Sequence, residues 1–394
     1  MRDSANEVLR ALATSGPLSR AQLARDLGLS GPTLTQATRS LMDLGLITEL
    51  DQSPSTGGRP ATLLGLVAGA GKVIGVKLAD DHLFGICVDL ESQIQFSFEE
   101  KFNARGEAAI DELTEILIKH SKKVRGQLLG IGVGLPGVVS QKDLSTATSV
   151  MLGWNQVKLG EILSKRLKTP VLCENDVNTL AIFESLYGRG KDISNLLTIT
   201  IGRGIGSGII LNGELYAGTQ GAGELGHVNV AGNNLQCECG NRGCLETIAS
   251  DPAILKNARA LNLIGPRAEM TELWSKARKD KAVATKCFKE PAEQLGISIA
   301  NVINIFGPEL IMVSGEGSGG WDIWEQWLVD SIRKHVVPTL SNFDIEVDPW
   351  DDAKWATGAI AVVMQATLSR RGVEYQPFQE VKDRLRVIGG KKIS

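Results

Sequence analysis

Four side chains near the middle of the chain have the types and the spacing of a closed metal site. They are His227, Cys237, Cys239 and Cys244. Three thiolates and one imidazole form the ligand set of a structural, four-coordinate zinc ion, whereas catalytic zinc keeps one position open for water or substrate. The sequence therefore predicts a structural zinc site in this segment. The other cysteines, Cys87, Cys173 and Cys287, are scattered, and we expect them to be small buried hydrophobic residues.

The bulk composition is that of a water-soluble globular protein. The chain has 394 residues, of which 43% are hydrophobic and 22% are charged. This length is sufficient for two or three domains, each with its own core. The first residues lack the apolar core of a signal peptide, and no run approaches the ~18 apolar residues of a membrane span. We expect a cytoplasmic protein whose cysteines bind metal and do not form disulfides.

The charge balance gives no bulk attraction to nucleic acid. The formal net charge is −3, and residues 1–66 contain six arginines (2, 10, 20, 25, 39, 59) and six acidic residues (3, 7, 26, 43, 49, 51). No lysine precedes Lys72. Any affinity for DNA must therefore come from locally placed arginines, polar side chains and dimerisation, since few phosphates are neutralised non-specifically.

The amino-terminal segment has the pattern of three short helices followed by two strands. Apolar residues recur at helical spacing over residues 5–14. Ser19 and Gln22 form a capping-box pair at the start of a second helix, and Ser30 precedes a third helix with Pro32 in its first turn. Residues 46–50 and 61–66 read as strands around a tip rich in glycine, serine and proline. Residues 1–66 are therefore predicted to form a winged helix-turn-helix, with a wing and linker at 51–71.

The third helix of this head is the candidate DNA-reading element. Its polar residues that can bond to phosphates and base edges are Thr33, Thr35, Gln36 and Arg39. The wing tip, Gly57-Gly58-Arg59-Pro60, is an extended segment whose arginine suits a narrow, A·T-rich minor groove. Two plainer interpretations remain open: a helical protein-interaction domain for the head, and a flexible linker turn around Arg59.

From Lys72 the pattern changes to alternating strands and helices. The strand-like runs are Val73–Leu78, Leu83–Val88, Leu129–Val133, Pro170–Cys173, Leu196–Ile201, Ile209–Leu211 and Leu310–Val313. The helical stretches are Asp111–Lys122, Leu159–Leu167 and Pro291–Ile305. Strands and helices in this order, with glycine-rich strand ends, predict an α/β body of two lobes with a ligand between them.

Several motifs, in this order along the chain, resemble the ROK family of repressors, open reading frames and kinases. They are Pro136-Gly137, Glu174-Asn175-Asp176-Val177-Asn178, the glycine-rich run 202–208, Glu-Leu-Gly-His at 224–227, the cysteine cluster, and 297–310. The resemblance covers almost the whole chain. It implies a winged helix-turn-helix followed by a two-lobed actin-like ATPase fold, as in sugar kinases. The implied sugar-binding domain is 72–394, with lobe 1 at about 72–176 plus the C-terminal helix and lobe 2 at about 177–350.

The same resemblance implies a sugar site. Carried over by motif, the sugar contacts are Asn175, Asp176, Glu224, His227 and Glu246. Carboxylates and an amide suit this task because sugar hydroxyls both donate and accept hydrogen bonds. His227 is expected to bind zinc with one ring nitrogen and a sugar hydroxyl with the other, so the metal fixes the orientation of the ring. The alternative is that zinc serves only as a scaffold for the loop.

The phosphate-binding motif of the related kinases is degenerate in this chain. The kinases have an aspartate followed by Gly-Gly-Thr on the first hairpin of the body, whereas this chain has Lys77-Leu78-Ala79-Asp80-Asp81. Side chains there block the approach of backbone to phosphate, and carboxylates repel it. Arg203 stands where the kinases usually have threonine in the second glycine loop. Asp176 occupies the position of the general base, but a sugar-binding protein has equal reason to keep it.

One departure concerns the sugar pocket itself. The kinases often have an asparagine that bonds to the sugar, and Val150 stands at this position. The ligand is therefore expected to differ from that of the kinases at the corresponding hydroxyl.

These observations predict a sugar-responsive DNA-binding regulator, most simply a repressor of carbohydrate uptake or catabolism genes that a sugar releases, and not an enzyme. We expect a homodimer or tetramer on a palindromic operator, with structural zinc and no membrane association. Two alternatives remain: an active ATP-dependent sugar kinase with an appended DNA-binding head, and a regulator that responds to a phosphosugar or a protein partner.

Overall fold

The fold is described from a computed structural model of the chain. It describes residues 3–50, 62–348, 351–368 and 376–387. The wing tip with Arg59 lies outside the described residues. The chain divides into two compact units: the first is Met1–Thr179 with Asp352–Ser394, and the second is Leu180–Asp351. None of the helices in the described part of the chain is both long and apolar enough to cross a membrane.

The elements of the first half of the chain confirm the predicted order of helices and strands. They are α1 (Asp3–Ser15), β1 (Leu18–Ser19), α2 (Arg20–Asp26), α3 (Gly31–Asp43), β2 (Ile47–Leu50), β3 (Leu63–Leu66), β4 (Lys72–Leu78), β5 (His82–Asp89), β6 (Ile94–Lys101), α4 (Ala109–Ser121), β7 (Leu128–Leu135), β8 (Val138–Val139), β9 (Thr146–Ser149), β10 (Trp154–Lys158), α5 (Leu159–Leu167), β11 (Val171–Asn175) and α6 (Asp176–Leu186).

The second half is richer in helices. Its elements are β12 (Leu196–Ile201), β13 (Ile205–Leu211), β14 (Glu214–Leu215), α7 (Glu246–Ala249), α8 (Asp251–Ala260), α9 (Met270–Lys279), α10 (Lys281–Ala284), α11 (Glu290–Phe306), β15 (Leu310–Ser314), α12 (Trp321–His335), β16 (Asp344–Val347), α13 (Asp352–Leu368) and α14 (Gln376–Val387). A π-helical turn at Thr285–Lys289 joins α10 to α11.

The head forms as its capping residues predict. The Ser19 side chain accepts a hydrogen bond from the Gln22 amide, and the Gln22 side chain accepts one from the Ser19 amide. Ser30 caps α3 by accepting from the Thr33 amide, and Pro32 lies in the first turn. These bonds satisfy amide groups that the helix itself leaves free. The wing sheet has the order β1-β3-β2, and the two-residue strand β1 was not predicted.

A five-stranded sheet organises the body of the first unit. Its order is β11-β7-β4-β5-β6, with β4, β7 and β11 parallel to one another and the hairpin strands antiparallel. The carboxyl ends of β7 and β11 therefore lie side by side, and Leu135 pairs with Asn175. The turn that carries Pro136-Gly137 and the start of α6 at Asp176 leave the sheet at this edge.

Helix α13 packs unusually closely on this sheet. A Cβ atom on Gly132 would lie 1.8 Å from the Ala359 carbonyl oxygen, and one on Gly75 would lie 2.1 Å from the Ala356 carbonyl oxygen. Glycine is required at both positions because the backbone of the helix rests on the backbone of β4 and β7. Helix α13 also contacts α1 of the head.

The second unit is built on another five-stranded sheet. Its order is β14-β13-β12-β15-β16, in which β12, β15 and β16 are parallel. Helices α8, α9, α11 and α12 enclose a large apolar core that includes Phe288, Leu295, Ile299 and Leu328. The second glycine loop, residues 202–204, connects β12 to β13 within this unit.

Candidate functional site

The predicted metal ligands converge on one point. The ligand atoms of His227, Cys237, Cys239 and Cys244 all lie within 4.8 Å of one another. Cys237 Sγ is 3.6 Å from His227 Nδ1, and Cys239 Sγ is 3.7 Å from Cys244 Sγ. Backbone bonds close the loop around them, with the Cys237 amide donating to the Asn241 carbonyl and the Val230 amide donating to the Gly243 carbonyl.

These distances fit a tetrahedral zinc ion. With Zn–S of about 2.3 Å and Zn–N of about 2.0 Å, tetrahedral geometry places two sulfurs about 3.8 Å apart and a sulfur about 3.5 Å from the nitrogen. Cys237 and Cys244 are buried, and burial raises the pKa of the Cys244 thiol to about 12. The cluster can therefore hold a metal ion, which would keep these sulfurs as thiolates at neutral pH.

His227 uses its two ring nitrogens in opposite directions. Nδ1 faces the sulfur cluster, whereas Nε2 lies 3.8 Å from Glu224 Oε2. The Glu224 side chain is about half exposed. Partial burial of its carboxylate raises its pKa, as does the charge of Glu246, whereas the charge of His227 acts in the opposite direction. The structure thus brings Glu224, His227 and Glu246 together in the second unit.

Glu246 also has a structural contact that the sequence did not reveal. Its Oε2 atom accepts a hydrogen bond of 3.1 Å from the Ile205 amide. A Cβ atom on Gly204 would lie 2.9 Å from the same oxygen, and one on Gly226 would lie 3.2 Å from it. Glycine at both positions lets the carboxylate bridge the second glycine loop and the segment that carries His227.

The other two predicted sugar contacts lie in the first unit, at the junction of β11 and α6. The Asn175 side chain caps α6, because its Oδ1 accepts a hydrogen bond from the Asn178 backbone N–H at 3.0 Å. Its Nδ2 donates to the Gly137 carbonyl at 2.8 Å. Asp176 begins the helix and is partly exposed, with Oδ1 accepting from the Val177 amide. Asn175 therefore has a structural task that its motif alone did not predict.

The first loop that would approach a phosphate in the kinases is a tight hairpin turn here. The Ala79 amide donates to the His82 carbonyl, and the Asp80 and Asp81 carbonyls accept from the segment that follows β6. Lys77 is buried, and its Nζ lies 4.8 Å from the centre of the Trp355 ring of α13. Lysine at this position is thus held against an aromatic face.

The second glycine loop is occupied by the chain's own carboxylates. Besides the Glu246 contact with Ile205, the Glu316 carboxylate lies so close to Gly202 that a Cβ atom there would meet Oε2 at 2.0 Å. The Asp251 amide donates to the Gly202 carbonyl at 2.8 Å. A phosphate at this loop would meet negative charge at both ends.

Asp251 is a residue that the sequence analysis missed. Its carboxyl lines a recess with Trp274, Phe288 and Trp324, and burial together with the charge of Glu316 raises its pKa to about 7. The signal in the sequence was slight, because an aspartate that follows a serine is typical of an ordinary helix start. Ser250 is indeed the N-cap of α8.

The candidate DNA-reading face of α3 is exposed. Thr33, Thr35, Gln36 and Arg39 are all exposed, whereas Leu34, Ala37 and Leu41 of the same helix are buried. The Thr35 hydroxyl donates to the Gly31 carbonyl, and the Thr33 hydroxyl pairs with that of Ser30. The polar side of the helix therefore lies away from the head's own core.

Taken with the fold, these features define a two-part chain: a winged helix-turn-helix joined to a body of the sugar-kinase type. Residues 73–366 match the ROK family, and residues 1–48 match a winged helix-turn-helix DNA-binding family. The chain belongs to the ROK family, and the fold predicted from the sequence is confirmed.

Similar proteins include named regulators. The xylose repressor of Caldicellulosiruptor bescii is 29% identical over 382 residues, which cover 92% of this chain and 95% of the relative. The DNA-binding transcriptional dual regulator NagC of Escherichia coli is 32% identical over 377 residues, which cover 92% of each chain.

Solved structures extend the comparison. A ROK family transcriptional regulator described as a homologue of the E. coli MLC protein matches with a TM-score of 0.79 at 24% identity, over 97% of this chain and 98% of that one. At this identity the match shows the fold alone. A ROK family glucokinase from Streptomyces griseus, in complex with glucose and AMPPNP, matches with a TM-score of 0.63 at 26% identity, over 74% of this chain and 99% of that one.

Proposed function

We propose that this protein is a sugar-responsive transcriptional repressor of genes for carbohydrate uptake or breakdown. The observation that carries the proposal is the joining, in one chain, of an exposed polar recognition helix and a ROK body that carries predicted sugar contacts beside a His/Cys₃ cluster. The similar proteins named as xylose and N-acetylglucosamine repressors match over most of their length. In functional terms we divide the chain into a DNA-binding head, 1–66, and a sugar-binding body, 72–394.

The head binds its operator through α3. Thr33, Thr35, Gln36 and Arg39 meet phosphates and base edges in the major groove, and Arg59 of the wing reaches an adjacent minor groove. Since the net charge is −3, affinity depends on two heads binding together. We therefore propose a homodimer or tetramer on a palindromic operator, with half-sites about 34 Å or a multiple of it apart.

The body binds a sugar through Asn175, Asp176, Glu224, His227 and Glu246. The exposed oxygens of the carboxylates accept hydrogen bonds from hydroxyls, while His227 Nε2 lies on the side of Glu224, away from the sulfurs. Zinc bound by His227 and the three cysteines supplies a fixed imidazole tautomer and a folded loop. A sugar that lacks one contacted hydroxyl leaves a buried polar group unpaired, at a cost of about 1–3 kcal/mol, so the site selects among sugars.

Sugar binding lowers the affinity for the operator. For this to occur, the sugar must bind the released state of the protein better than the operator-bound state, and a coupling of about 1–3 kcal/mol is usual between such sites. By linkage, operator DNA lowers the affinity for sugar by the same factor. This reciprocity makes the mechanism measurable from either ligand.

We propose that the body is not a kinase. The carboxylates of Glu246 and Glu316 at the second glycine loop, and the buried Lys77 against Trp355, support this. The fold of an ATP-using kinase is retained, but the loop groups that would meet phosphate are engaged within the chain. An ATP-dependent phosphorylation of sugar that is lost in Asp176→Asn would establish the kinase alternative instead.

The first test is to select the fragments of the source genome that the purified protein binds, and then to titrate their complexes with sugars. D-xylose, N-acetyl-D-glucosamine and D-glucose form the first panel, because similar proteins are named for or crystallised with them. We expect discrete palindromic sites beside carbohydrate genes and release by one sugar. If the protein binds no specific DNA sites, the repressor proposal is refuted. Specific sites that are released only by a phosphosugar would identify a phosphosugar as the effector.

A further inference from the structure

A buried carboxylate lies directly before the two sugar residues of the first unit. Glu174 is only 3% exposed. Its Oε1 atom accepts from the Asn175 backbone N–H at 2.8 Å and from the side-chain Nδ2 of Asn178 at 3.0 Å. Its Oε2 atom accepts from Gln141 Nε2 at 2.9 Å. Among the residues that the structure describes, no lysine or arginine pairs with this carboxylate.

Such a group is costly in a protein core. Burial raises the pKa of Glu174, and only neutral N–H donors oppose that effect. An apolar residue of similar volume fills a core at lower cost, while removal of one partner from a buried polar network leaves the others unsatisfied. The arrangement therefore indicates a role in fixing the position of its neighbours.

The neighbours of Glu174 lie at the carboxyl ends of β7 and β11, beside the predicted sugar contacts Asn175 and Asp176. Asn175 and Asn178 form the first turn of α6, beside Asp176. Asn175 Nδ2 in turn donates to the Gly137 carbonyl, so the segment 136–141 is held by Asn175 at one end and by Glu174, through Gln141, at the other. A Cβ atom on Gly137 would lie 2.5 Å from the Thr148 carbonyl oxygen, which ties the same segment to β9.

Asn178 shows that Glu174 sets the orientation of its neighbours. The Asn178 amide directs Nδ2 to Glu174, and its buried Oδ1 has no hydrogen-bond partner within the described structure. The opposite orientation would place an oxygen against the carboxylate. The amide is therefore turned toward Glu174 even though one buried acceptor is left unsatisfied.

We propose that Glu174 is the positioning residue of the sugar site: without touching the sugar, it fixes the first turn of α6 and the segment 136–141 so that Asp176 meets the ligand. The inference rests on the proposed function, because it concerns the sugar site of that function. It predicts that positions 174 and 141 must present one hydrogen-bond donor and one acceptor to each other, whichever of the two residues carries the charge.

A charge exchange tests this polarity. In Glu174→Gln, the side-chain orientation that keeps the Asn175 and Asn178 bonds turns an NH₂ group toward Gln141 Nε2. Gln141 can accept from this group only by turning its own amide over, which gives up its bond to the Val139 carbonyl. In Gln141→Glu, two carboxylates face each other. In the double variant the amide introduced at position 174 donates to the carboxylate introduced at position 141, and the pair is restored with its polarity reversed. Gln141 also donates to the Val139 carbonyl at 3.3 Å, and the double variant loses this weaker bond.

The experiment is calorimetric titration of the wild-type protein, both single variants and the double variant with the panel sugar that the wild type binds. All are measured well below their melting temperatures, with the wild-type zinc content verified. We expect Gln141→Glu to weaken sugar binding by at least ~10-fold, Glu174→Gln to weaken it by less because the Gln141 amide can turn over, and the double variant to return to within ~3-fold of the wild type, since contacting residues couple non-additively.

Asp89→Asn is the matched control. Asp89 is a buried carboxylate of the same unit that accepts from the Glu91 and Gln93 backbone N–H groups and from Gln95 Nε2, each at 3.0 Å. Unlike Glu174 it also pairs with a lysine, Lys72, at 3.5 Å. Its loss should lower the melting temperature and leave the sugar affinity unchanged, which separates positioning from general stability.

Two results overturn the inference alone: Gln141→Glu binds sugar as the wild type does, or the double variant binds sugar as weakly as Gln141→Glu. An equal loss of sugar affinity in Asp89→Asn would also overturn it, by reducing the effect to stability. A wild-type protein that binds none of the sugars removes the proposed function, and this inference with it.

Discussion

Replacing Asp251 with asparagine should change how the stability of the second unit depends on pH. Burial and the charge of Glu316 raise the pKa of Asp251 from 3.8 to about 7. The folded protein therefore keeps a proton on this carboxyl over a range in which the unfolded chain has released it. Stability from this group is complete below pH 3.8 and is lost as the pH rises toward 7.

The magnitude follows from the width of this range. At about 1.4 kcal/mol for each pH unit, the two units between pH 5 and pH 7 correspond to roughly 3 kcal/mol. For a unit of this size that is a shift of roughly 5–10 °C in melting temperature. Asparagine carries no charge at any pH, and it retains the backbone amide that donates to the Gly202 carbonyl.

The assay is scanning calorimetry of zinc-loaded wild type and Asp251→Asn between pH 5 and pH 8. The melting temperature of the variant should increase relative to that of the wild type as the pH rises, and the difference should become constant above pH 7. Asp322→Asn is the flat control, because the Arg278 hydrogen bond lowers the pKa of Asp322 from 3.8, so the contribution of this group does not change between pH 5 and pH 8. Parallel curves for wild type and Asp251→Asn would refute the reasoning.

Three further predictions follow from the metal site, the packing of α13 and the recognition helix. Cys239→Ser should reduce the zinc content to near zero and lower the melting temperature, because metal binding contributes folding free energy; undiminished zinc would contradict the assignment. Gly132→Ala should destabilise by at least ~2 kcal/mol because its methyl group meets the Ala359 carbonyl, whereas Gly31→Ala, with open space around it, should change stability by at most ~1 kcal/mol in chemical unfolding. Arg39→Ala should weaken operator binding by roughly 10-fold in fluorescence anisotropy without altering sugar binding, and an unchanged operator affinity would remove Arg39 from the interface.

The parts of the fold that depend on local chemistry were predictable from the sequence. The Ser19–Gln22 capping box and the Ser30 cap lie where their patterns placed them, because the side chain and the amide it satisfies are three residues apart. Short or edge elements such as β1 were not predicted. Two residues carry too little pattern, and their pairing with β3 is decided by the tertiary fold.

The convergence of the His/Cys₃ ligands was predictable, but the internal contacts of the neighbouring residues were not. The metal cluster could be identified because its ligands are close in sequence and limited in chemistry. The bond from the Ile205 amide to Glu246, the capping of α6 by Asn175, and the contact of Lys77 with Trp355 join residues by folding, often across distant parts of the chain. A motif assigns such residues to a ligand, whereas the structure shows that several also have structural partners.

In the proposed repressor, sugar binding and operator binding oppose each other. The most direct test is to measure the operator affinity by fluorescence anisotropy with and without a saturating concentration of the sugar that calorimetry shows to bind. We expect the sugar to weaken the operator complex by roughly 5- to 150-fold, which corresponds to a coupling of about 1–3 kcal/mol. An operator affinity that does not change while the sugar is demonstrably bound would contradict it.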